Sequence, residues 1–160
     1  MSVGNEFVEA ADLHPELRGR CRAGLRALAG SHSRLVEHAG ATLSGSINLE
    51  GALNDNPDRA SDRKWDYGIG FVRGSESIAC WVEVHPANSG EVSVFIEKAS
   101  ALKSFLNEPP SARLKDLTSR AEVQTRYQWV RTGSDHLTTR DVRRLNHSGL
   151  FRPVRRAALR

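Results

Sequence analysis

The stretch from Trp65 to His85, WDYGIGFVRGSESIACWVEVH, constrains the fold more than any other part of the chain. It divides at Arg73-Gly74-Ser75-Glu76 into two runs rich in aromatic and β-branched residues, the pattern of two strands joined by a hairpin. Successive side chains of a strand point to opposite faces, so Tyr67, Ile69 and Phe71 share one side while Asp66, Gly68 and Gly70 share the other. In the second run Ile78, Cys80, Val82 and Val84 line one face, and Trp81, Glu83 and His85 line the opposite one. One carboxylate, and on the neighbouring strand a carboxylate with an imidazole, can therefore converge. Such an oxygen-rich pocket suits a hard divalent cation. Glu83 also lies between hydrophobic residues in a strand expected to be central, where an unpaired charge is costly. Its structural alternative is a salt bridge to an arginine such as Arg126 on a later strand.

A chain of 160 residues reads as a single domain with enough length to bury a core. The net charge of +4 fits a protein that meets nucleic acid, and fits equally a charge that only aids solubility. Cys21 and Cys80 are far apart, with no zinc-type spacing, so a reducing, cytoplasmic setting is expected. No apolar run approaches the length of a membrane span, and no export signal is visible at the N-terminus.

The sequence order places a loose lead-in over residues 1–12, then helix from Pro15 to Gly40, either one helix running through a weak spot at Gly30-Ser31-His32-Ser33 or two short helices abutting there. Arg18, Arg20, Arg22 and Arg26 on its exposed sides are either a phosphate track or a solvated face. A first strand is expected over Ala41–Asn54, a polar loop over Asn54–Lys64, and then the two central strands. Glu91–Leu106 carries an apolar stripe at helical spacing, and Ala112–Arg120 reads as a short helix or loop. Ala121–Arg131 reads as a fourth strand, and a helix capped by Thr138 or Thr139 runs to His147. The basic tail over residues 152–160 is expected to be a flexible end, like residues 1–12. The fold class is α+β, an α/β sandwich with a helix-strand-strand-strand-helix-strand core and a mixed central sheet.

That order, with Asp66 on the second strand and Glu83-Val84-His85 on the third, resembles the PD-(D/E)xK nuclease-like superfamily, the restriction-endonuclease-like fold, over roughly Pro15 to Arg131. The resemblance implies that Asp66 and Glu83 bind Mg2+ or Mn2+, with Val84 adding its backbone carbonyl and Glu37, near the end of the first helix, adding a further acid. His85 stands where the motif lysine belongs, and Trp65 replaces the usual proline before the first acid. An imidazole can accept a proton from water or touch the metal. Lys98 on the following helix is a substitute for the displaced lysine, or else a surface lysine whose stem covers apolar neighbours.

The implied activity is metal-dependent hydrolysis of phosphodiester bonds in DNA or RNA, with Asp66, Glu83, His85 and Lys98 in the chemistry and Arg63, Lys64 and Arg126 on the nucleic acid. A homodimer or larger assembly is compatible with it. The alternatives are a catalytically silent module of the same fold that binds nucleic acid or a protein, and a regulatory or immunity-type protein whose acids meet a basic partner. Gly68-Ile69-Gly70 lies inside a strand and forms no phosphate cradle; these glycines leave room for a neighbouring helix or a substrate backbone.

Overall fold

The computed structural model describes residues 5–160. Its centre is a four-stranded mixed sheet of β2 (Thr42–Asn48), β3 (Tyr67–Arg73), β4 (Glu76–Ala87) and β5 (Tyr127–Asp135), in that spatial order. The first three strands form an antiparallel meander, and β5 pairs parallel to β4 after a helical crossover. The crossover carries α4 (Val92–Leu106) and α5 (Ala112–Ser119). A parallel connection needs such a detour to bring the chain back to the starting edge. The chain is thus mixed α and β, with the meander beside the parallel pair as its sequence pattern implies.

The period-two alternation of the central hairpin sorts its side chains as expected. Tyr67, Ile69, Phe71, Ile78, Cys80, Val82 and Val84 join one buried cluster, and Ala79 and Trp81 join the other. Helices cover the second face: α1 (Glu6–Asp12), α3 (Leu49–Asn54), α4 and α5 contribute Phe7, Leu49, Leu53, Phe95, Leu102 and Leu114 to its core. The opposite face is covered by Leu28 and Val36 from a largely irregular segment and by Ala157 and Leu159 from the C-terminal tail. The two covering segments meet as a short parallel pair, β1 (Val36–Glu37) with β6 (Ala157–Ala158).

Several elements differ from their sequence reading. No long helix spans residues 15–40; turns and one short helix, α2 (Gly30–Ser33), occupy it. Gly19 and Gly24 take φ of +74° and +53°, which ends helical geometry at both points. The apolar residues there do not serve one face either, since Leu17 packs in the helix-side core and Leu28 under the opposite side of the sheet. Residues 6–12 form α1 instead of a loose lead-in, while residues 1–4 of that lead-in lie outside the described residues. The expected first strand is half strand and half helix, breaking at Asn48, whose side chain accepts from Gly51 N–H and caps α3. The fourth strand starts later, because Val123–Thr125 forms a 3₁₀ turn. The tail is tied down: Gln128 donates to the Ala158 carbonyl and accepts from its N–H, and Leu159 is buried.

Thr138 and Asp141 form a reciprocal capping box at the start of α6 (Thr139–His147), as the threonine signal implies. Cys21 and Cys80 are both free thiols, and burial pushes each up to about 12. No helix among the described residues is long and apolar enough to cross a membrane.

The strand glycines make room for packing. A Cβ on Gly70 would stand 2.1 Å from Cγ of Phe7, and one on Gly68 would stand 2.6 Å from the Trp81 ring. The neighbouring helix is therefore what Gly70 admits. Gly70→Ala is expected to lower stability by about 1–3 kcal/mol through overpacking. Phe7→Ala removes the ring but keeps a Cβ 2.4 Å from the added methyl, so Gly70→Ala should remain destabilising there but cost less than in the wild type, a non-additivity that denaturant midpoints will register.

Candidate functional site

Asp66 immediately precedes β3 and lies across from Glu83 on β4, because the register pairs Tyr67 with Val82 and Gly68 with Trp81. The two acids interlock through the backbone. Asp66 N–H donates to Glu83 Oε1 at 2.9 Å, and Val84 N–H donates to Asp66 Oδ2 at 3.0 Å. Both N–H and C=O of a strand residue face the same neighbour, so the Val84 carbonyl also faces the Asp66 side. Glu83 is 1% exposed, held in the second strand from the edge and roofed by α4.

Its cationic partner is Lys98. On α4, Phe95, Ala99 and Leu102 turn onto the sheet, and Lys98 beside that stripe reaches Glu83 Oε2 at 2.6 Å. Arg126 does not pair with Glu83; it donates instead to the carbonyls of Ser119 and Ala121.

A fourth group completes the site. Glu50, in the first turn of α3, shares a hydrogen bond with Asp66, while Leu49 N–H donates to the Asp66 carbonyl at 2.9 Å. The sequence signal for it was available: Asn48 as a cap, an acid in the first turn, and Leu49, Ala52 and Leu53 at helical spacing. Glu37 does not take this part. It sits on β1, exposed, with Arg156 at 3.9 Å, and it belongs to no helix.

His85 shares the Glu83 face one pleat further on, where its Nε2 pairs with Glu91. Its carbonyl accepts from Trp129 Nε1. Arg63 pairs with Glu97, and Lys64 donates to the Asp62 carbonyl. Lys64 is close enough to act electrostatically on Glu50. The structure thus brings Asp66, Glu83 and Lys98 together with Glu50, and leaves His85, Glu37, Arg63 and Arg126 in other pairings.

Three carboxylates around one ammonium are unbalanced. Burial, then the Asp66 charge, push Glu83 up to about 7 against the pull of Lys98. Glu50 is raised by burial and by its bond and proximity to Asp66. Burial alone would lower Lys98, but Glu83, Asp66 and Glu50 outweigh it and hold the ammonium in its charged form. A proton or an added cation would relieve this repulsion, and the donors offered are carboxylate oxygens.

A second cluster has the spacing of a metal site. Donor atoms of His14, Glu16 and Glu108 lie within 4.8 Å of one another, and the cluster could hold an ion. Arg59, however, bonds Glu16 at 2.6 Å and Glu108 at 2.7 Å and supplies the positive charge. His14 Nδ1 accepts from Glu16 N–H, which leaves the ring proton of neutral His14 on Nε2 and that nitrogen without a lone pair for a metal. This cluster reads as an ion-paired fastening of the 55–62 loop to the end of α4.

Compared with family models, curated proteins and solved structures, the chain has no significant match. What the site does is therefore argued from its own chemistry.

Removing the ammonium tests the electrostatics directly. In Lys98→Met, Glu83 loses its counter-charge and its folded-state carboxyl rises further. A raised carboxyl favours the folded state below the unfolded value and loses that advantage as pH rises through the folded value. The destabilisation by Lys98→Met should therefore grow by about 1 kcal/mol between pH 5 and pH 8, a rise limited by a wild-type Glu83 carboxyl already pushed up to about 7, measured by urea melts at both.

Proposed function

We propose that the chain is a divalent-metal-dependent phosphodiester hydrolase acting on DNA or RNA, with the architecture of the restriction-endonuclease-like fold. The observation that carries this reading is the constellation itself: Asp66 and Glu83 interlocked across two strands, Glu50 joined to Asp66, and Lys98 2.6 Å from Glu83. The helix-supplied lysine stands in for the one absent from the strand motif, where His85 lies. An antiparallel meander with a helical crossover to a parallel strand agrees with the same family.

Asp66 and Glu83 would hold the metal, with the Val84 carbonyl facing the same side and Glu50 as a further ligand or a base. A bound Mg2+ or Mn2+ would polarise the phosphate and make a coordinated water more acidic. Lys98 remains protonated, so its part is electrostatic: it faces the negative charge that builds on phosphorus-bound oxygens and orients the attacking water. Proton removal falls instead to a carboxylate. Glu50, whose affinity for a proton is raised by burial and by Asp66, is suited to take the water's proton. His85, bound to Glu91, has no place in that first exchange.

The engagement of His85 by Glu91 favours one second reading, a silent member of the same fold that binds nucleic acid without cutting it. Two measurements separate them. Cleavage of labelled DNA or RNA should require magnesium or manganese and fall by about 100-fold or more in Glu83→Gln and Asp66→Asn. Salt-sensitive binding with no cleavage in either metal would select the silent module. Because ligand carboxylates must be deprotonated, manganese affinity measured by calorimetry should rise from about pH 6 to about pH 8 as Glu83 loses its proton.

A further inference from the structure

We infer that a groove beside the carboxylate centre, between the 20–27 segment and α3, binds the phosphate backbone of a nucleic acid strand. The inference deepens the hydrolase reading and rests on it for the identity of the anion as nucleic acid. The groove encloses about 340 Å³ and is lined by Arg20, Arg22, Arg26, Asn48, Gly51 and Asp55.

Its polar groups are nearly all donors. Arg26 makes no side-chain hydrogen bond or ion pair among the described residues. Arg22 spends one terminal nitrogen on the carbonyls of Gly19 and Cys21 and keeps its remaining N–H groups. Asn48 Oδ1 accepts from Gly51 N–H, which leaves its amide N–H donors facing the groove's anion. The sole acid, Asp55, is occupied by Arg20. More broadly, the chain from Leu17 to Val36 carries Arg18, Arg20, Arg22, Arg26 and Arg34 with no aspartate or glutamate.

The arginines project from a fixed backbone. Arg22 and Ser46 exchange both backbone hydrogen bonds at 2.9 Å, and Ala27 N–H donates to Ser46 Oγ at 3.0 Å, so the segment is fastened to β2. Pre-placed guanidinium groups lose less freedom when they bind an anion.

Position supplies the link to the centre. Asn48, which lines the groove, pairs with Tyr67 of β3; Leu49 bonds Asp66; Glu50 joins its carboxyl; Gly51 lines the groove again. The stretch 48–51 therefore gives Asn48 and Gly51 to the groove wall and Glu50 to the candidate centre. A strand whose reacting phosphodiester lies at Asp66 and Glu83 would continue past Arg20, Arg22 and Arg26. Charge and donors, with few apolar seats, match backbone contacts that position a strand without reading its bases.

The test is binding of a short labelled DNA or RNA in EDTA, where no cleavage can proceed, followed by fluorescence anisotropy over a range of salt. Arg20→Gln/Arg26→Gln should weaken binding by about ten-fold or more and make the dependence of log affinity on log salt shallower by about two. Arg26→Gln alone, which breaks no intramolecular bond, should remove about half of that slope change, and unfolding midpoints verify that both variants fold. The matched control removes equal charge from α6, as Arg140→Gln/Arg143→Gln.

Equal losses in control and groove variants would overturn the inference, since net charge alone would then explain both. No loss in the groove variants would also overturn it, as would equally tight, equally Arg26-dependent binding of poly-glutamate. Failure of the hydrolase reading is separately visible: the binding measured in EDTA does not use the carboxylates, so a chain that never cleaves but loses affinity in the groove variants keeps the groove and loses the chemistry.

Discussion

A glutamate inside a four-stranded sheet is the constraint on which the rest of the architecture depends. Glu83 cannot be buried as a bare charge, so the surrounding elements supply a donor for each of its oxygens: the Asp66 N–H from one strand and Lys98 from the covering helix. Those two contacts tie the residue preceding β3, and the covering helix α4, to one buried point on β4. Beside them the rings of Phe95, Trp129 and Trp65 pack between α4 and the sheet. The same arrangement leaves the pocket short of positive charge, which is the condition for holding an added cation.

Side chains with a short, strict period were legible in the sequence. Once Gly74 sets the hairpin, alternation puts Asp66 opposite Glu83 without further information, and the helical stripe of Phe95, Ala99 and Leu102 places Lys98 at its margin. Glu50 was not legible as part of a strand through Asn54. A helix of six residues offers only Leu49, Ala52 and Leu53 at helical spacing, too short a pattern to outweigh the β-like run before it even with the Asn48 cap and the first-turn acid. The stretch around Leu17, Leu25 and Leu28 misleads for another reason. Leucine and arginine are good helix formers, but the leucines there serve opposite faces of the sheet, and propensity yields to that tertiary demand.

Covering one face with helices and the other with irregular chain has a consequence for charge. Exposed acids on the helices of the first face meet bases from neighbouring loops, as Glu97 of α4 with Arg63 illustrates. The irregular cover buries only sparse aliphatic residues such as Leu28, Val36 and Leu159, so its other positions point outward and are free to be basic. From Ser148 to Arg160, as from Leu17 to Val36, there is no acid at all. The small β1 and β6 pair joins these two cationic segments, and the buried Gln128 holds the second of them to the sheet by bonding the Ala158 backbone.

The two clusters of acid in the molecule show why proximity of carboxylates is a weak guide to metal binding. At Glu16 and Glu108 the guanidinium of Arg59 lies between the acids, drives Glu16 below its usual range, and is itself held strongly charged. One cation there bonds both acids directly. At Glu50, Asp66 and Glu83 the proton affinities of both glutamates move upward, the signature of negative groups with too few counter-charges. An ion entering the first cluster must displace a planar, multiply bonded cation, whereas an ion entering the second displaces protons and relieves repulsion. The direction of the shifts, more than the distances, separates carboxylates bridged by a cation from carboxylates left with excess negative charge.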